Sequence, residues 1–564
     1  MTFYTHTVTR RSQARRLLQQ SFLQRSWVAL LLLCGLPALS QSSPQSSPET
    51  SPETFDTGGR LVLVLPFDNR TGQPNLAWIG DSFPDTLNQR LSSAGLLTIS
   101  RDDRQYALDH LGLPVDFKPS RATTIRIAET LDANYVIVGS YTVNNGRIAV
   151  QAQVLEVNKL HLSQPLAGSS ELSRLFDVEN AIAWKVARQI DPHFNVAEQT
   201  FLSAAGGVRL SAFESYIRGT AATTSEERIK RLQMAVQDTP DYPAALLALG
   251  KAQFAQRDYE QAAATLAKIP QTDRRALEAN FYIGLARFNT AKYAEAESAF
   301  AFVASRLPLP EVVNNQAVAS SRQGHDAVAL FERASTADPN DADYHYNLAV
   351  AMLRRGDFAG AQREVDTTLK LRPTDAEAAE LKANINAGKH IVPVAKPGTT
   401  SASSSDFSPL ERIRRTYSEA SFRQAAFQLD QMHAARMATL PPAEQAVQYS
   451  QRGHDYLAQG LIPEAEQEFQ AAIAADGSSA DAHAGLAQVR ERSGSTSDAR
   501  TEAQTSLNLH PNVSAYLVLA RLDLQANQAA SSASNVIKAL QLNPKDSAAQ
   551  GMRQALEARG QSFP

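Results

Sequence analysis

The stretch from 243 to 270, PAALLALGKAQFAQRDYEQAAATLAKIP, contains the pattern that decides the fold of most of this chain. Its landmarks are a small residue after a leucine, an aromatic residue, an alanine, a leucine and a closing proline, at Leu249, Gly250, Tyr259, Ala262, Leu266 and Pro270. The small residues let two antiparallel helices approach closely, and the proline ends the second helix because it cannot continue one. The stretch therefore predicts a helix pair whose apolar face must pack on a neighbouring pair.

The same spacing recurs from about residue 212 to the end of the chain. Further copies contain the pairs Ile283-Gly284, Leu348-Ala349, Leu486-Ala487 and Leu519-Ala520, and residues 313–339 form a slightly shortened copy. Repetition of these landmarks at a period of about 34 residues resembles the tetratricopeptide repeat (TPR). The resemblance implies an all-α solenoid that binds proteins or peptides on a concave face, which the first helix of each pair lines.

A Pro/Ser/Thr-rich stretch interrupts the repeats at 389–409, KHIVPVAKPGTTSASSSDFSP. This composition is typical of a flexible linker. The array is therefore expected as two TPR blocks, at 212–388 and at 410–564. A last helix with interspersed polar residues, Ala548–Arg559, is expected to cap the second block.

The region from 60 to 195 has mixed periodicity and predicts an α/β domain. The apolar run Leu61–Leu65 has the character of a strand buried on both faces. Two later strands, Tyr135–Val143 and Arg147–Val157, are joined through Asn144-Asn145-Gly146, a strong hairpin signal. Two apolar stripes at helical spacing are Ile79, Phe83, Leu87 and Leu91, and Phe176, Ala181, Ile182, Val186 and Ile190.

Three stretches of this region resemble the TolB amino-terminal-like domain of bacterial envelope and signalling proteins: LVLPFDNRTG, WIGDSFPDTLNQRL and IRIAETLDANYVIVGSYTVNNGRIAVQAQVLEV. The resemblance implies a non-catalytic α/β unit that takes part in protein assemblies. In that family the module often lies beside TPRs, and a kinase or cyclase domain commonly precedes it. Here a basic, apolar leader and a polar stretch precede it, so the enzymatic partner of the family is not expected in this chain.

Residues 1–40 predict a secretory signal peptide. Arginines between Arg10 and Arg25 precede the apolar run Trp27–Leu39, and small residues follow it near Ser40. The run is shorter than the roughly 20 apolar residues that span a bilayer. We therefore expect a periplasmic or secreted protein after cleavage near Ser40. An inner-membrane protein anchored through Trp27–Leu39 is the alternative.

Composition excludes several classes of function. The formal net charge of −3 leaves no basic excess for phosphates, so no nucleic-acid partner is expected. The only cysteine, Cys34, lies in the leader, so the cleaved chain would form no disulfide. Residues 41–59 are rich in Ser, Pro, Glu and Thr, which predicts a disordered tether.

No motif indicates catalysis, and no catalytic, cofactor-binding or metal-binding residue is predicted. The 11 histidines form no HxxxH or HExxH pattern, and no glycine-rich nucleotide loop is present. Asp102-Asp103 and Asp341 with Asp343 resemble paired carboxylates, but each pair stands at an expected helix start, which favours capping over acid/base chemistry. An enzyme with an unrecognised active site in 60–195 is kept as an alternative, and no small-molecule substrate is predicted.

Candidate partner-binding residues follow from the expected concave face. They are the exposed first-helix positions Gln253, Tyr282, Arg287, Tyr346, Asn347, Met352 and Arg354. Because Asn347 and Arg354 lie in one repeat without equivalents in the preceding one, recognition of a peptide's terminal carboxylate is not expected. The arginine clusters Arg412, Arg414, Arg415 and Arg354-Arg355 are interpreted as solvated helix faces, with binding of acidic partners as the alternative.

Taken together, the sequence predicts a multidomain chain with an N-terminal α/β domain followed by an all-α TPR solenoid in two blocks. The expected function is an exported, non-enzymatic scaffold of the bacterial cell envelope. Its partners would be envelope proteins or peptides bound by the TPR concave surfaces and the α/β module. Membrane contact is expected only through the signal or anchor.

Overall fold

The computed structural model describes residues 60–114, 120–203, 207–389, 408–416, 431–432 and 434–563. The predicted signal peptide and tether, and most of the predicted linker, lie outside these described residues. Over the described ranges, no helix is long and apolar enough to cross a membrane.

A mixed sheet organises the N-terminal region. Its strands are β1 Leu61–Val64, β2 Asp68–Asn69, β3 Leu97–Thr98, β4 Tyr135–Asn144, β5 Arg147–Glu156, β6 His161–Leu162 and β7 Leu166–Glu171. The order is β3-β1-β4-β5-β6, with β2 on β4 and β7 on β5. Strand β1 runs parallel to β3 and β4, whereas β4 and β5 form an antiparallel hairpin that pairs Asn144 with Arg147.

Helices cover both faces of this sheet. They are α1 Trp78–Ser93, α2 Arg101–His110, α3 Arg121–Thr130, α4 Leu175–Ile190 and α5 Glu198–Ser203. Val62 and Val64 of β1 pack in one apolar cluster with residues of α1 and α4, and Leu63 packs in another with residues of α2 and α3. The prediction of a strand buried on both faces is therefore confirmed.

The predicted hairpin is also confirmed, and its turn explains the residues used. Asn145 and Gly146 have φ angles of 50° and 76°, the left-handed conformation that a two-residue hairpin turn requires. Strands β2, β3, β6 and β7 were not predicted, because the first three have only two residues each and β7 (LAGSSE) is largely polar.

Helices, most of them in pairs, make up most of the rest of the described chain. The first block contains α6 Leu210–Ala221, α7 Ser225–Asp238, α8 Pro243–Ala255, α9 Tyr259–Leu266, α10 Ala276–Asn289, α11 Tyr293–Ala304, α12 Pro310–Ser321, α13 Val328–Ala337, α14 Ala342–Arg355, α15 Phe358–Leu371 and α16 Ala376–Asn386. The second contains α17 Pro442–Ala458, α18 Ile462–Ala475, α19 Ala480–Arg492, α20 Thr496–Leu509, α21 Val513–Gln525, α22 Ala529–Leu542 and α23 Ser547–Glu557.

The small residues of the repeat act as the sequence predicts. A Cβ atom on Gly250 would lie 2.4 Å from Cγ of Leu266, and one on Gly284 would lie 2.7 Å from the Phe300 ring. Because such distances leave no room for a side chain, glycine lets the two helices of a pair approach closely. The fold class, an α/β region followed by an all-helical repeat array, is confirmed.

The second block packs against the α/β region through its first helix pair. Glu466 of α18 is fully buried, accepts a hydrogen bond from the backbone N–H of Ala197 at 3.0 Å and pairs with Arg490 at 2.8 Å. Gln467 donates to the carbonyl oxygen of Ser93 at 3.0 Å. The two repeat blocks are thus separate along the chain, and the second has its own contacts with the N-terminal region.

One segment departs from the expected organisation. Residues 410–416, which the sequence places in the second block, lie against helices of the first block. The polar composition of the stretch before them predicts where the first block ends. It carries no information about which surface the chain contacts next.

Candidate peptide-binding groove

Residues 408–416, SPLERIRRT, run without helix or strand structure across the first repeat block; we call them the groove segment. They contact α12, α14 and the start of α16, the successive first helices of neighbouring pairs. These helices form the surface that we call the first groove. The segment is therefore seated where a TPR array is expected to hold a ligand.

Two buried asparagines hold the backbone of the groove segment. Asn347 accepts from the backbone N–H of Arg412 at 2.7 Å and donates to its carbonyl oxygen at 2.8 Å. Asn315 makes the same pair of bonds with Arg414, both at 2.7 Å. In an extended chain the backbone groups of every second residue face the same side, so two asparagines can hold residues 412 and 414. Because these bonds involve only the backbone, they fix the position of a peptide without reading its sequence.

A third asparagine links Asn315 and Asn347, which we call the asparagine clamps. Asn314 donates to the carbonyl oxygen of Arg412 at 3.1 Å, and its own side-chain oxygen accepts from Asn347 at 2.8 Å. All three asparagine residues are fully buried with the segment in place. Because a buried amide without partners costs about 1–3 kcal/mol, a chain that covers these asparagines must supply the backbone groups that they bind.

Glu411 inserts its side chain into a positively charged part of the first groove. Its carboxylate is fully buried, accepts from Arg354 and from the Ser321 hydroxyl, the latter at 2.5 Å, and lies 3.5 Å from Nε of Arg322. Arg354 also donates to the carbonyl oxygen of Pro409 at 3.1 Å. Because a buried charge without a partner is costly, this end of the groove selects an acidic side chain.

Arg412 lies in a negatively charged part of the same groove. Its guanidinium pairs with Asp343 at 2.8 Å, with Asp375 at 2.7 Å and with Glu377 at 2.8 Å, and it stacks 3.8 Å from the centroid of the Tyr346 ring. The hydrogen bond from Arg412 holds the pKa of Asp375 below its usual range. This environment stabilises a planar, bidentate cation.

Arg414 repeats the arrangement two residues further on. It pairs with Asp341 and, at 3.0 Å, with Asp343, and it lies 5.2 Å from the centroid of the Tyr344 ring. Burial alone would raise the pKa of Asp343, but hydrogen bonds from Arg372 and Arg412 and the charge of Arg414 bring it below its usual value. Both arginines are thus held by carboxylates and an aromatic face.

The side chains between and beyond these charges contribute less. Ile413 packs against two apolar clusters of the first block. Leu410 is 55% exposed, and Arg415 is exposed. Recognition of the segment therefore rests on its backbone, one acidic residue, two arginines and one apolar residue.

Three of the residues predicted from the concave face contact the groove segment: Tyr346, Asn347 and Arg354. The other four do not contact the segment but pack within the first block. Arg287 pairs with Glu260 at 2.8 Å, and the Tyr282 ring lies 5.5 Å from that of Phe254. Gln253 and Met352 are buried.

The expectation that these seven side chains are exposed is wrong, since none of them is classed as exposed. For three of them the groove segment itself provides the cover. A repeat pattern identifies the first helix of each pair, but it does not identify an extended segment of the same chain that lies on it.

The prediction that Asn347 and Arg354 lack equivalents in the preceding repeat is also wrong. Asn347 stands nine residues before Gly356, and Asn315 stands nine before Gly324; both glycines have positive φ and follow the first helix of their pair. Arg354 and Arg322 each stand two residues before the same glycines. Counting from these glycines would have shown the equivalence. Counting back from the alanines of the second helices, Ala327 and Ala361, hides the equivalence. The repeat at 313–339 has two residues fewer between Gly324 and Ala327 than the next repeat has between Gly356 and Ala361.

The interpretation of Arg412 and Arg414 as a solvated helix face is wrong, because both are in an extended segment and bind carboxylates. Asp341 caps α14 as predicted, accepting from the backbone N–H of Asp343 at 2.9 Å, and it also pairs with Arg414.

At the other predicted carboxylate pair, the cap of α2 is Ser100, which accepts from the N–H of Asp103. Asp102 instead pairs with Lys251 at 3.1 Å. Over the described ranges, no group of three or more His, Cys, Asp or Glu side chains is placed to hold a metal ion.

Family models of the tetratricopeptide repeat match three stretches of the chain, 229–282, 319–385 and 450–513. The first two lie in the first block and the third in the second. The chain therefore contains TPRs in both blocks, and the match at 319–385 covers much of the first groove. No curated protein sequence matches the chain.

Parts of the chain are similar to solved structures. MamA from Desulfovibrio magneticus RS-1 is 16% identical, with a TM-score of 0.28, and the match covers 30% of this chain and 99% of that one. YrrB, described as a TPR protein with an unusual peptide-binding site, is 13% identical with a TM-score of 0.28, covering 36% and 98%. The C-terminal domain of LpoB from Escherichia coli is 26% identical with a TM-score of 0.18, covering 20% and 84%.

Proposed function

We propose that this chain is an exported, non-catalytic scaffold of the bacterial cell envelope that holds other proteins through extended peptide segments. The observation that carries the proposal is the pair of asparagine clamps, Asn315 and Asn347, which bind the backbone of an extended segment at two alternate residues. The plainer statement, that the chain is a TPR-containing scaffold for protein interaction, rests on the repeats themselves.

The chemistry of the first groove supports peptide binding over catalysis. Its charged side chains are paired with one another or with the groove segment, and its asparagines hold amide groups. Side chains arranged in this way bind and orient a chain; they include no nucleophile with an adjacent base, as acyl transfer would need.

Export and an envelope location rest on the sequence. The basic and apolar leader at 1–40 favours secretion, and the resemblance of 60–195 to the TolB amino-terminal-like domain favours an envelope assembly. N-terminal sequencing of the mature protein tests this part. A start near residue 41 is expected, whereas an intact leader would instead favour an inner-membrane protein anchored through Trp27–Leu39.

Affinity capture from envelope extracts tests the role of the first groove. The full chain is compared with the variant Asn315→Ala/Asn347→Ala. The control is Gln451→Ala, because Gln451 stands nine residues before Gly460 and so occupies the equivalent position in the second block. We expect at least one partner that the wild type and the control retain and the groove variant loses. Identical partner sets from all three proteins would remove the groove from the proposed function.

A further inference from the structure

We infer that the groove segment is a built-in competitor, and that the ligand of the first groove is a segment of another protein with the pattern acidic–Arg–apolar–Arg. The inference rests on the proposed function and names its partner class. In this chain the pattern is Glu411, Arg412, Ile413 and Arg414. The same groove would bind either the chain's own copy or a partner's copy, but not both.

The first step of the argument is that every contact of the segment can be made by a separate peptide. Within the described residues, its backbone bonds go to side chains of the groove, at Asn314, Asn315, Arg322, Asn347 and Arg354, and not to the backbone of a sheet or a helix. A peptide with the same backbone path would make the same bonds.

The second step is that the two ends of the groove carry opposite charges. Arg322 and Arg354 surround the acidic position. Carboxylates surround the two arginine positions: Asp341, Asp343, Asp375 and Glu377. A peptide with reversed signs would place like charges together, and one without charges would leave buried ions unpaired. The groove thus selects both the composition and the direction of its ligand.

The third step is that the segment contributes little to the apolar core. Of its apolar side chains, Ile413 packs against the first block, whereas Leu410 is 55% exposed. Its remaining contacts are hydrogen bonds, ion pairs and two contacts between an arginine and a tyrosine ring, which a competing peptide can replace one for one. A tethered ligand competes at a high local concentration, so it lowers the apparent affinity for a partner without abolishing binding.

The experiment measures fluorescence anisotropy of a labelled peptide, SPLERIRRT, with three forms of the full chain. These are the wild type, an emptied-groove variant (Glu411→Ala/Arg412→Ala/Arg414→Ala), and the emptied-groove variant that also carries Asn315→Ala and Asn347→Ala. A peptide with Glu at both arginine positions, SPLEEIERT, is the specificity control. Circular dichroism and thermal melting establish that each variant is folded.

We expect the peptide to bind the emptied-groove variant at least tenfold more tightly than the wild type. Adding the two asparagine substitutions should abolish this binding, and the control peptide should bind none of the proteins. Equal binding to the wild type and the emptied-groove variant would overturn the inference. So would the absence of binding to a folded emptied-groove variant, because the segment would then be a permanent part of the fold.

Hydrogen exchange on the wild type keeps the inference testable if the emptied-groove variant does not fold. Saturating peptide should raise the exchange rate of the amides of Arg412 and Arg414 in the protein, since it displaces their partners; unchanged rates would overturn the inference. If extracts yield a groove-dependent partner but the peptide never competes, only this inference fails. If the peptide competes but no partner depends on the groove, the role of the groove in the proposed function fails instead.

Discussion

The two repeat blocks have the same helical architecture, yet the first holds an extended segment through a backbone clamp, and the described part of the second shows no such clamp. The difference lies at the position nine residues before the residue of positive φ that follows each first helix. In the two repeats of the first block that hold the segment this position is Asn315 and Asn347, whereas the two preceding repeats have Ala248 and Tyr282. In the second block it is Gln451, Gly485 and Val518. The backbone geometry of a TPR is therefore compatible with many binding properties, and a few side chains per groove determine which one is present.

Packing explains why the second block has a glycine at one of these positions. A Cβ atom on Gly485 would lie 2.2 Å from the ring of Phe469, so the ring fills the space that a side chain would need. In the first block a fully buried asparagine occupies the matching position.

The second block has its own concave cavity, of about 630 Å³, along α19, α21 and α23. The charges there are largely satisfied internally. Arg521 pairs with Glu491 through two contacts of 2.6 Å, and Arg492 donates to the carbonyl oxygen of Leu457 at 2.7 Å. Arg492 is equivalent to Arg354 of the first block, since each stands two residues before a glycine of positive φ. The arginine does not create a clamp by itself, because the residue seven positions before Arg492 is Gly485 and not asparagine.

The largest effect is expected when an asparagine is placed in the second block. Gly485→Asn should destabilise that block by about 3 kcal/mol, because the new side chain overlaps the Phe469 ring. Urea unfolding followed by circular dichroism measures the shift. Gly551→Asn is the control, since a Cβ there meets nothing within 4 Å, and it should change stability little. If Gly485→Asn were as stable as the wild type, packing against Phe469 would not be the reason why the second block lacks an asparagine at this position.

A smaller effect is expected when one clamp is removed from the first block. Asn347→Ala leaves the N–H and carbonyl groups of Arg412 without their shortest partner, which should weaken the seating of the groove segment by about 2 kcal/mol. Hydrogen exchange at residues 408–416 should rise accordingly. Gln451→Ala, at the same register in the second block, should leave this exchange unchanged; equal effects would contradict the comparison.

The charge of Asp375 can be separated from its capping role. Asp375→Asn keeps the side-chain oxygen that caps α16 but removes the charge that pairs with Arg412, so the segment should loosen by about 1 kcal/mol without loss of the helix. Asp546→Asn is the matched control, because Asp546 caps α23 of the second block in the same way. Exchange at 408–416 should respond to the first substitution alone.

Acid should release the groove segment while the second block stays folded. The pKa values of Asp343 and Asp375 are lowered in the occupied groove, so their contribution is complete above the ordinary carboxyl pKa of about 3.9 and is lost as the pH falls through the lowered values. A fluorophore at Leu410→Cys, in a Cys34→Ser background, should report release below about pH 4. A signal that is flat down to the pH of global unfolding would contradict the role of these carboxylates.

The sequence was sufficient for the fold because the fold depends on local, periodic signals. Alternation in β5, the Asn-Gly turn and the small residues of each repeat act over short distances along the chain, and each is visible in the order of residues. The shortest strands, such as β2 and β3, were missed because two residues contain no periodicity.

Part of the first groove was also predictable. Repeat position identified Tyr346, Asn347 and Arg354, and counting from Gly324 and Gly356 would have added Asn315 and Arg322. The sequence assigns Asp341 to a helix cap, which is correct but incomplete. Asp341 also pairs with Arg414, because a capping carboxylate has a second oxygen that can bind another partner. One residue can thus satisfy a local rule and a distant contact together.

By itself, the sequence determined that this chain has an α/β region followed by TPR blocks, because hydrophobic periodicity and turn chemistry are properties of neighbouring residues. Only the tertiary structure decided what lies in the first groove. Arg412 and Asn347 are 65 residues apart and Arg414 and Asn315 are 99 apart, and their contact depends on the path of an extended segment with no periodicity of its own. That segment changes the surface we expected to be open into a site that is already occupied.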